Sequence, residues 1–365
     1  MAAAQVLAPS SAFHPGFRAA PLIKEPTSII KPSGNDDFDP KKHLAFRTPS
    51  KIYTMKELGL PEDHGISPIA VSEPFPLFTE EAILRMRSEV LNKDVMEKCQ
   101  FSSNLAQAQL RGYADKYAPF IYDAWKNPET LKAISSIAGI DLTLEMDLEI
   151  GHVNLSVKSE EEKDEELKAF KEGGSKEPIV GWHTDSYPFV CVLMLSDCSN
   201  MIGGETALRT GTGEILKVRG PQMGCAVVLQ GRYIEHQALA AFGSTERITM
   251  VTSFRPRSPL VRDDTVLTTV RPISNLGELY TQFSEYRFEI LEERIRRQLK
   301  EMREARTLGR RVATAKLKAF VAEQQRFLEH MNREMLDDDK VVMGEVDDSH
   351  LLTKPNKKAK VAHEE

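Results

Sequence analysis

The chain has 365 residues, of which 41% are apolar and 28% are charged, and its formal net charge is −6 at pH 7. This length and composition are typical of a globular protein with a full hydrophobic core, in one large domain with appendages or in two domains. The acidic balance argues against nucleic acid or an anionic membrane as a general partner. No apolar run approaches the roughly 20 residues that a membrane span needs, so we expect no membrane partner.

The four cysteines are Cys99, Cys191, Cys198 and Cys225, and they form no CxxC pair and no dense framework. Cys191 and Cys225 lie within apolar runs, which favours buried free thiols in a reducing compartment. We therefore expect a cytoplasmic protein. The lysine-bearing tail at 355–361 resembles a basic nuclear-import signal, which leaves a nuclear location open.

Composition and periodicity divide the chain into four stretches. We expect a flexible arm at 1–50, where Pro, Gly and Ser are scattered without periodicity. A domain at 51–273 follows, then a helical extension at 274–336 and a tail at 337–365 that is first acidic and then basic. The short apolar stretch at 341–343 is expected to fold back onto the body.

Helical patterns precede the first strands. Thr79 is a good N-cap for a helix with an apolar stripe through Ile83 and Val90. A second helical pattern covers 103–125. A third covers 128–138 and predicts a C-cap at the following glycine.

The period changes to 2 near residue 142. In the stretch 150–157, His152, Asn154 and Ser156 share one face, and Val153 and its alternate neighbours share the other. An inward polar face is typical of a barrel whose lumen holds a polar ligand. An exposed edge strand would produce the same pattern, and the sequence leaves both interpretations open.

Residues 159–177 form a dense charge run that interrupts the strands. Part of it is helical in composition, and such a run is usually a solvated surface element. Because it directly precedes the next predicted strand, it could instead serve as a mobile lid.

Further strand patterns follow, separated by glycine-containing turns. They cover 179–184, 189–195, 206–209, 215–218, 225–230 and 247–254. Many short strands at this spacing favour a sandwich or barrel over a parallel sheet. We therefore expect a mainly β fold with flanking helices.

The stretch 275–336 is almost continuously helical in composition, with a break at Leu308 and Gly309. It predicts two helices that pack as a hairpin or dimerise. Helices of this length exceed what one barrel can cover, so a homodimer through the C-terminal helices is one expectation.

The chemistry-bearing residues begin with His183 and Asp185. On a strand, a His-x-Asp pair points both side chains to one face. His236 follows the apolar strand at 225–230. Two imidazoles and one carboxylate can cap one face of an octahedral metal and leave the opposite positions open. We interpret these three residues as one metal site.

Arg247 opens the last strand and shares a face with Thr249, Val251 and Ser253. A planar guanidinium beside a hydroxyl suits bidentate capture of a carboxylate. The pair therefore predicts the anchor of an acidic co-substrate in the lumen. A surface arginine on an edge strand is the alternative.

Four short elements stand in this order: His183-x-Asp185, Gly203-Gly204-Glu205-Thr206, His236 and Arg247-x-Thr249. The order resembles the Fe(II)/2-oxoglutarate-dependent dioxygenase superfamily, on its taurine dioxygenase and clavaminate synthase side. The resemblance covers about residues 145–257. The interval from Asp185 to His236 is short for the taurine dioxygenase group, which places the chain on a divergent branch of the type found in specialised metabolism.

The resemblance implies a double-stranded β-helix, or jelly roll, with Fe(II) at one open end. It implies 2-oxoglutarate and O2 as co-substrates, with the far carboxylate of 2-oxoglutarate held by Thr206 and Arg247. The expected reaction hydroxylates or desaturates a small molecule and converts 2-oxoglutarate to succinate and CO2. The side chains expected to contact the substrate are His152, Asn154, Ser156 and Tyr187.

The residues leave other functions open. The same chemistry could act on a protein or nucleic acid, as the lysine-bearing tail and long helices suggest. The barrel could be a non-catalytic scaffold that acts through its C-terminal helices. A zinc hydrolase could use the same three ligands, but it would leave Arg247 and Thr206 unexplained.

Overall fold

A computed structural model of the protein describes residues 37–172, 178–220 and 222–352. Most of the predicted arm, the end of the charged insertion at 173–177 and the lysine-bearing tail at 355–361 lie outside the described residues. Within the stretch predicted as an arm, residues 37–50 pack on the body, where the Phe38 and His43 rings contact Phe120.

The described strands are β1 Ile52–Thr54, β2 Ile69–Ser72, β3 Phe75–Pro76, β4 Gln100–Phe101, β5 Gln109–Leu110, β6 Leu142–Leu144, β7 His152–Val157, β8 Val180–His183, β9 Phe189–Met194, β10 Ile202–Gly203, β11 Thr206–Arg209, β12 Ile215–Val218, β13 Cys225–Leu229, β14 His236–Ala238, β15 Ala241–Phe242 and β16 Glu246–Pro256. The described helices are α1 Pro40–His43, α2 Glu80–Val90, α3 Lys93–Lys98, α4 Ala114–Tyr117, α5 Pro119–Lys126, α6 Pro128–Ala138, α7 Glu160–Lys171, α8 Leu276–Thr307 and α9 Thr314–Glu334.

Two antiparallel sheets form the centre of the molecule. The larger has the strand order β1-β2-β13-β9-β16-β7-β5-β4, with β3 on β13 and β6 on β16. The smaller has the order β12-β11-β14-β8, and β10 pairs with β15 separately. Side chains of both main sheets line one cavity. The predicted jelly-roll core with flanking helices is thus confirmed.

Strand β16 lies inside the larger sheet and shows why the sheet has two different faces. Ile248, Met250 and Phe254 point to one side and pack with the N-terminal helices, where the Trp125 ring lies against Phe254. The alternate residues, beginning with Arg247, point to the other side and line the cavity. The period-2 pattern therefore separates a hydrophobic core from a binding face.

The helix predictions succeed where capping residues are present. Thr79 accepts a hydrogen bond from the Ala82 amide at the start of α2. Helix α6 ends at Gly139, whose left-handed φ of 68° favours glycine. The helix predicted at 103–125 is wrong in its first half, because residues 109 and 110 form β5 and pair with β7.

The strand predictions are close to the observed bounds. Strands β11 and β12 have the predicted ends, and β16 is longer than predicted by a residue at its start and two at its end.

The charged insertion begins with α7, which starts in a capping box at Ser159 and Glu162. The Phe170 ring of α7 stacks on Phe242 at a centroid distance of 4.4 Å.

Helices α8 and α9 form an antiparallel hairpin on either side of the predicted break. Near the body, the Arg287 guanidinium lies 3.8 Å from the centroid of the Phe327 ring. Farther out, Ile295, Leu299 and Met302 are 39–43% exposed. Dimerisation through this part of the hairpin stays a prediction.

The chain returns to the jelly roll after α9. The Gly344 amide donates to the Pro272 carbonyl at 2.8 Å, and the Asn104 amide donates to the Gly344 carbonyl at 3.0 Å. The chain therefore contacts the jelly roll directly after the stretch 341–343 that was expected to fold back, whereas Val342 within that stretch is 59% exposed. Among the described residues, no helix has both the length and the apolar character to cross a bilayer.

Candidate metal centre

The smaller sheet brings His183 and His236 together. Strands β8 and β14 pair so that the two histidines are direct partners in the register, and their ring centroids are 4.3 Å apart. Asp185 follows β8, and its amide donates to the Gly231 carbonyl at 3.0 Å. Two neighbouring strands and one turn thus hold all three side chains.

The three side chains converge on one point. The Nε2 atoms of His183 and His236 each lie 3.6 Å from an oxygen of the Asp185 carboxylate. The possible ligand atoms all lie within 4.8 Å of one another. Because metal–ligand bonds to nitrogen and oxygen are about 2 Å long, this group could hold a metal ion.

Backbone carbonyls fix the orientation of both imidazole rings. His183 Nδ1 lies 2.8 Å from the Gly181 carbonyl oxygen, and His236 Nδ1 lies 2.9 Å from the Ile234 carbonyl oxygen. A carbonyl only accepts, so each Nδ1 carries the hydrogen and each Nε2 presents its lone pair to the Asp185 side. Such a hydrogen bond behind a histidine is usual in metal sites.

The protonation states also suit a metal. Burial lowers the pKa of His236 to about 4 and keeps it neutral. Burial acts to raise the pKa of Asp185, but the neighbouring His236, His183 and Arg232 outweigh it and leave that pKa lowered. Burial acts to lower the pKa of His183, but Asp185 outweighs it and leaves that pKa raised. Asp185 Oδ2 is buried and makes no hydrogen bond to a described residue. A buried anionic oxygen without a donor is what a cation would satisfy.

A glycine leaves the space for this carboxylate. A Cβ at position 231 would lie 1.8 Å from Asp185 Oδ2. Since no side chain fits there without moving the carboxylate, the turn after β13 depends on Gly231.

The triad lies in a cavity of about 190 Å³ between the two sheets. Its apolar lining includes Val71, Ile179, Val180, Val190, Val192, Val227, Leu229, Val251, Val270 and Ile273. The cavity therefore offers a mostly apolar space beside the metal-ligand group.

Arg247 and its neighbour Thr249 line the same cavity from β16, and Thr206 lines it from β11. Burial lowers the pKa of the Arg247 guanidinium, and its buried Nε makes no hydrogen bond within the described ranges. No carboxylate in the described part of the chain is paired with it. A partly buried guanidinium with an unsatisfied Nε is costly, so this end of the cavity suits an anion.

The side chains predicted to contact a substrate fall into two groups. His152, Asn154 and Tyr187 line the cavity, whereas Ser156 does not. Ser156 pairs with Arg247 near the end of β7, beyond the cavity-lining part of that strand. The Tyr187 hydroxyl donates to the Glu149 carboxylate, so it belongs to a hydrogen-bond network in the wall.

An ion pair between Arg111 and Glu149 lies at the centre of this network and was not predicted from the sequence. Arg111 Nη1 donates to Glu149 Oε2 at 2.9 Å, and Arg111 Nε donates to Ser274 Oγ at 2.8 Å. Both charged residues line the cavity. The pair joins positions 38 residues apart, and no local pattern in the sequence marks such a contact.

Glu235 and Arg209 lie close to the metal-ligand strands but outside the cavity lining. Glu235 forms an ion pair with Arg209 at 2.9 Å. The Arg209 guanidinium lies 4.7 Å from the centroid of the Trp182 ring. This contact stabilises the outer face of the smaller sheet.

The sequence matches no protein-family profile and no curated protein. Several solved structures are similar, and three are described here by their identity and coverage. A prolyl-4-hydroxylase from Pseudomonas putida is 16% identical over 49% of this chain and 88% of its own, with a TM-score of 0.32. AviO1 from Streptomyces viridochromogenes is 15% identical over 53% and 93%, with a TM-score of 0.36.

The third is SnoN, described as a non-heme alpha ketoglutarate dependent epimerase from nogalamycin biosynthesis. It is 12% identical over 56% of this chain and 83% of its own, with a TM-score of 0.37. Similarity at these TM-scores is too weak to transfer a function to this chain.

Proposed function

We propose that the protein is an Fe(II)- and 2-oxoglutarate-dependent dioxygenase that hydroxylates or desaturates a small molecule. The reaction would convert 2-oxoglutarate and O2 to succinate and CO2. One observation carries the proposal: a His-Asp-His group and a partly buried arginine, which forms no ion pair with a described residue and whose Nε is unsatisfied, line the same cavity.

His183, Asp185 and His236 would hold the metal, which leaves coordination positions for 2-oxoglutarate and O2. Bound Fe(II) would supply the redox centre at which O2 oxidises 2-oxoglutarate and the substrate. The neutral His236 imidazole and the Asp185 anion are already in the forms that bind a cation. The protein needs little reorganisation to accept the ion.

Arg247 would bind the far carboxylate of 2-oxoglutarate, and Thr206 and Thr249 would donate hydrogen bonds to it. Arginine suits this task because its planar fork matches a carboxylate. The bound carboxylate would satisfy the guanidinium that no described residue pairs with. A hydrolase on the same metal ligands would leave this arginine without a purpose.

The cavity supports a small-molecule substrate. Its volume is about 190 Å³, and its polar wall at His152 and Asn154 faces apolar side chains. Membership of the taurine dioxygenase side and a place in specialised metabolism stay predictions.

An anaerobic spectrum tests the proposal. Adding Fe(II) and 2-oxoglutarate to the protein should give the weak visible charge-transfer band of this chelate. Asp185→Ala is the matched control and should give no band at the same concentrations. A wild-type protein without the band at saturating ligand would overturn the proposal.

A further inference from the structure

Helix α8 has two apolar faces. Its buried residues pack on the jelly roll and on α9, and they are Leu279, Phe283, Tyr286, Arg287, Ile290 and Arg294. A second set of apolar residues on the same helix is 39–53% exposed, and this exposed stripe consists of Phe288, Ile295, Leu299 and Met302. At about 100° per residue, the exposed stripe points roughly 140° away from the centre of the buried face.

The exposed stripe has the spacing of a contact between two helices. Phe288, Ile295 and Met302 recur every seven residues, which keeps apolar side chains on one side along a pair of helices. Helix α9 contacts another side of α8, where the Arg287 guanidinium lies over the Phe327 ring. The stripe therefore remains exposed in the single chain and favours a helical partner.

The exposed charges of α8 are segregated by sign along its length. Between residues 285 and 293 they are four glutamates, Glu285, Glu289, Glu292 and Glu293. Between residues 296 and 306 they are five basic and two acidic residues, with the basic ones at Arg296, Arg297, Lys300, Arg303 and Arg306. Ile295, at the centre of the stripe, lies at the boundary between the acidic and the basic half.

Two of these charges flank the stripe and have no partner in the single chain. Glu285 and Arg303 are about five helical turns apart, and both lie on the same side of α8, roughly 70° from the stripe. Neither side chain forms an ion pair with a described residue. Both charges are therefore available to a charge of opposite sign on another chain.

A pocket of about 500 Å³ adjoins the acidic half of α8. Its charged lining consists of Glu145, Asp147, Glu285, Glu289, Lys126 and Arg255. Lys126 forms an ion pair with Asp147 at 3.4 Å. The two glutamates of α8 outnumber the remaining Arg255, so this surface suits a basic group from another chain.

A second copy of α8 matches both the stripe and the charges when it runs antiparallel. With Ile295 of the two copies facing each other at a two-fold axis, Phe288 lies beside Met302 of the second copy. Glu285 then lies beside Arg303 of the second copy, at the rim of the acidic pocket. A parallel pair would instead place like charges opposite each other, which is unfavourable.

We propose that the protein forms a two-fold symmetric dimer in which the exposed stripe of α8 packs antiparallel on the same stripe of a second copy. The contact is isologous, so each charge pair occurs twice. The dimer of C-terminal helices expected from the sequence thereby acquires an orientation and contact residues, and its test is independent of the dioxygenase function.

Light scattering after size exclusion, with the full chain loaded over a wide range of concentrations, tests for the dimer. The 41.0 kDa chain should have twice this mass at high concentration and approach it on dilution. Ile295→Asp puts two charges at the two-fold axis and should weaken dimerisation by at least about 100-fold. Ile215→Asp is the matched control, since Ile215 is 47% exposed on β12, and it should have no effect.

Charge reversal tests the pairing of Glu285 with Arg303. Glu285→Arg and Arg303→Glu should each weaken dimerisation by about 10-fold, because each turns two attractive contacts into two repulsive ones. A mixture of the two variants should dimerise as tightly as the wild type, since opposite charges meet again in the mixed dimer. Glu293→Arg is the matched control, because Glu293 is exposed on the side of α8 away from the stripe.

Disulfide cross-linking tests the orientation of the two helices. Phe288→Cys mixed with Met302→Cys should give a cross-linked dimer. Each variant alone should give no more cross-linking than the wild type, because its two introduced thiols would lie roughly 20 Å apart in an antiparallel pair.

Four results would overturn the dimer proposal. They are a monomer at all concentrations, equal behaviour of Ile295→Asp and Ile215→Asp, charge reversals that act no differently from Glu293→Arg, and cross-linking of Phe288→Cys on its own. None of them bears on the chelate of Fe(II) and 2-oxoglutarate, which the visible band tests separately.

Discussion

Arg111 and Arg247 both line one cavity, and they differ in what surrounds them: Arg111 is buried, whereas Arg247 is partly exposed with a buried Nε. Arg111 forms an ion pair with Glu149 and a hydrogen bond to Ser274. Arg247 has no such partner within the described stretches, and its Nε is buried and unsatisfied. Arg111 is therefore paired in the absence of a ligand, whereas Arg247 is not.

This difference indicates that Arg111 serves the stability of the fold and that Arg247 serves ligand binding. A paired buried charge contributes to a unique native arrangement, and removing one partner is strongly destabilising. An unpaired buried charge is unfavourable in the free protein and becomes favourable when a ligand of opposite charge binds. Stability and binding should therefore respond in opposite ways to substitutions at the two arginines.

The largest expected effect is on activity, at the metal-ligand group beside Arg247. Asp185→Ala should abolish metal binding and succinate release. This effect is larger than the roughly 10- to 100-fold loss of metal affinity or activity that is typical when a residue hydrogen-bonded to a metal ligand is replaced. The free energy of unfolding of the metal-free protein should fall only slightly, because the Asp185 Oδ2 atom makes no hydrogen bond to a described residue and both histidine Nε2 atoms lie 3.6 Å from the carboxylate. Elemental analysis and urea denaturation measure the two properties. Retained stoichiometric iron would contradict the assignment.

Arg111→Met should give the largest loss of stability. It leaves Glu149 buried without its cation, which costs about 3–5 kcal/mol in free energy of unfolding. The double variant Arg111→Met/Glu149→Gln removes both charges and should recover a large part of the loss. Urea denaturation of the metal-free proteins checks this. A loss below 1 kcal/mol in the single variant would show that the pair does not stabilise the fold.

Arg247→Met should behave in the opposite way. The metal-free protein should be as stable as the wild type or more so, because the substitution removes a partly buried charge whose buried Nε makes no hydrogen bond to a described residue. Affinity for 2-oxoglutarate should fall on the order of 100-fold, since losing one partner of a buried charge pair costs roughly 2–5 kcal/mol. Anaerobic titration of the visible band measures the affinity. Unchanged affinity would place the far carboxylate elsewhere.

The smallest effect concerns His152, which lies between the two arginine positions in the cavity wall. Burial first, and then the charge of Arg111, lower the pKa of His152 to about 3. Between pH 6.5 and pH 3 the unfolded chain binds a proton that the native state does not, so stability falls as pH falls. At pH 5 the loss is about 2 kcal/mol from this residue.

His152→Asn should remove that part of the pH dependence. The measurement is the urea midpoint of the metal-free proteins at pH 7 and pH 5, with wild type and variant compared at each pH. Equal pH dependence in the two proteins would show that His152 titrates in the native state as it does in the unfolded chain.

The sequence predicted the parts of this molecule that local rules determine. Thr79 and Gly139 cap their helices, and alternation on β16 places Arg247 and Thr249 on one face. The same alternation rule predicts that His183 and Asp185 share a face. Local rules could not assign His236 to the metal site, because its pairing with His183 is a long-range contact, and only the order of the motifs indicated it.

Long-range contacts explain what the sequence could not provide. Residues 109 and 110 lie within a stretch whose sequence pattern predicts a helix, but in the structure they pair with strand β7. The partners of Arg111 lie 38 and 163 residues away along the chain. Asn104 forms a hydrogen bond with Val346, which is 242 residues away. Ser156 follows the alternation correctly, but the cavity ends before it.

The most direct measurement is a crystal structure of the protein with Mn(II) and N-oxalylglycine, an unreactive analogue of 2-oxoglutarate. We predict an anomalous peak between the His183 and His236 Nε2 atoms and the Asp185 carboxylate, with the far carboxylate of the analogue on Arg247. A metal bound elsewhere, or an analogue whose far carboxylate lies away from Arg247, would contradict the account.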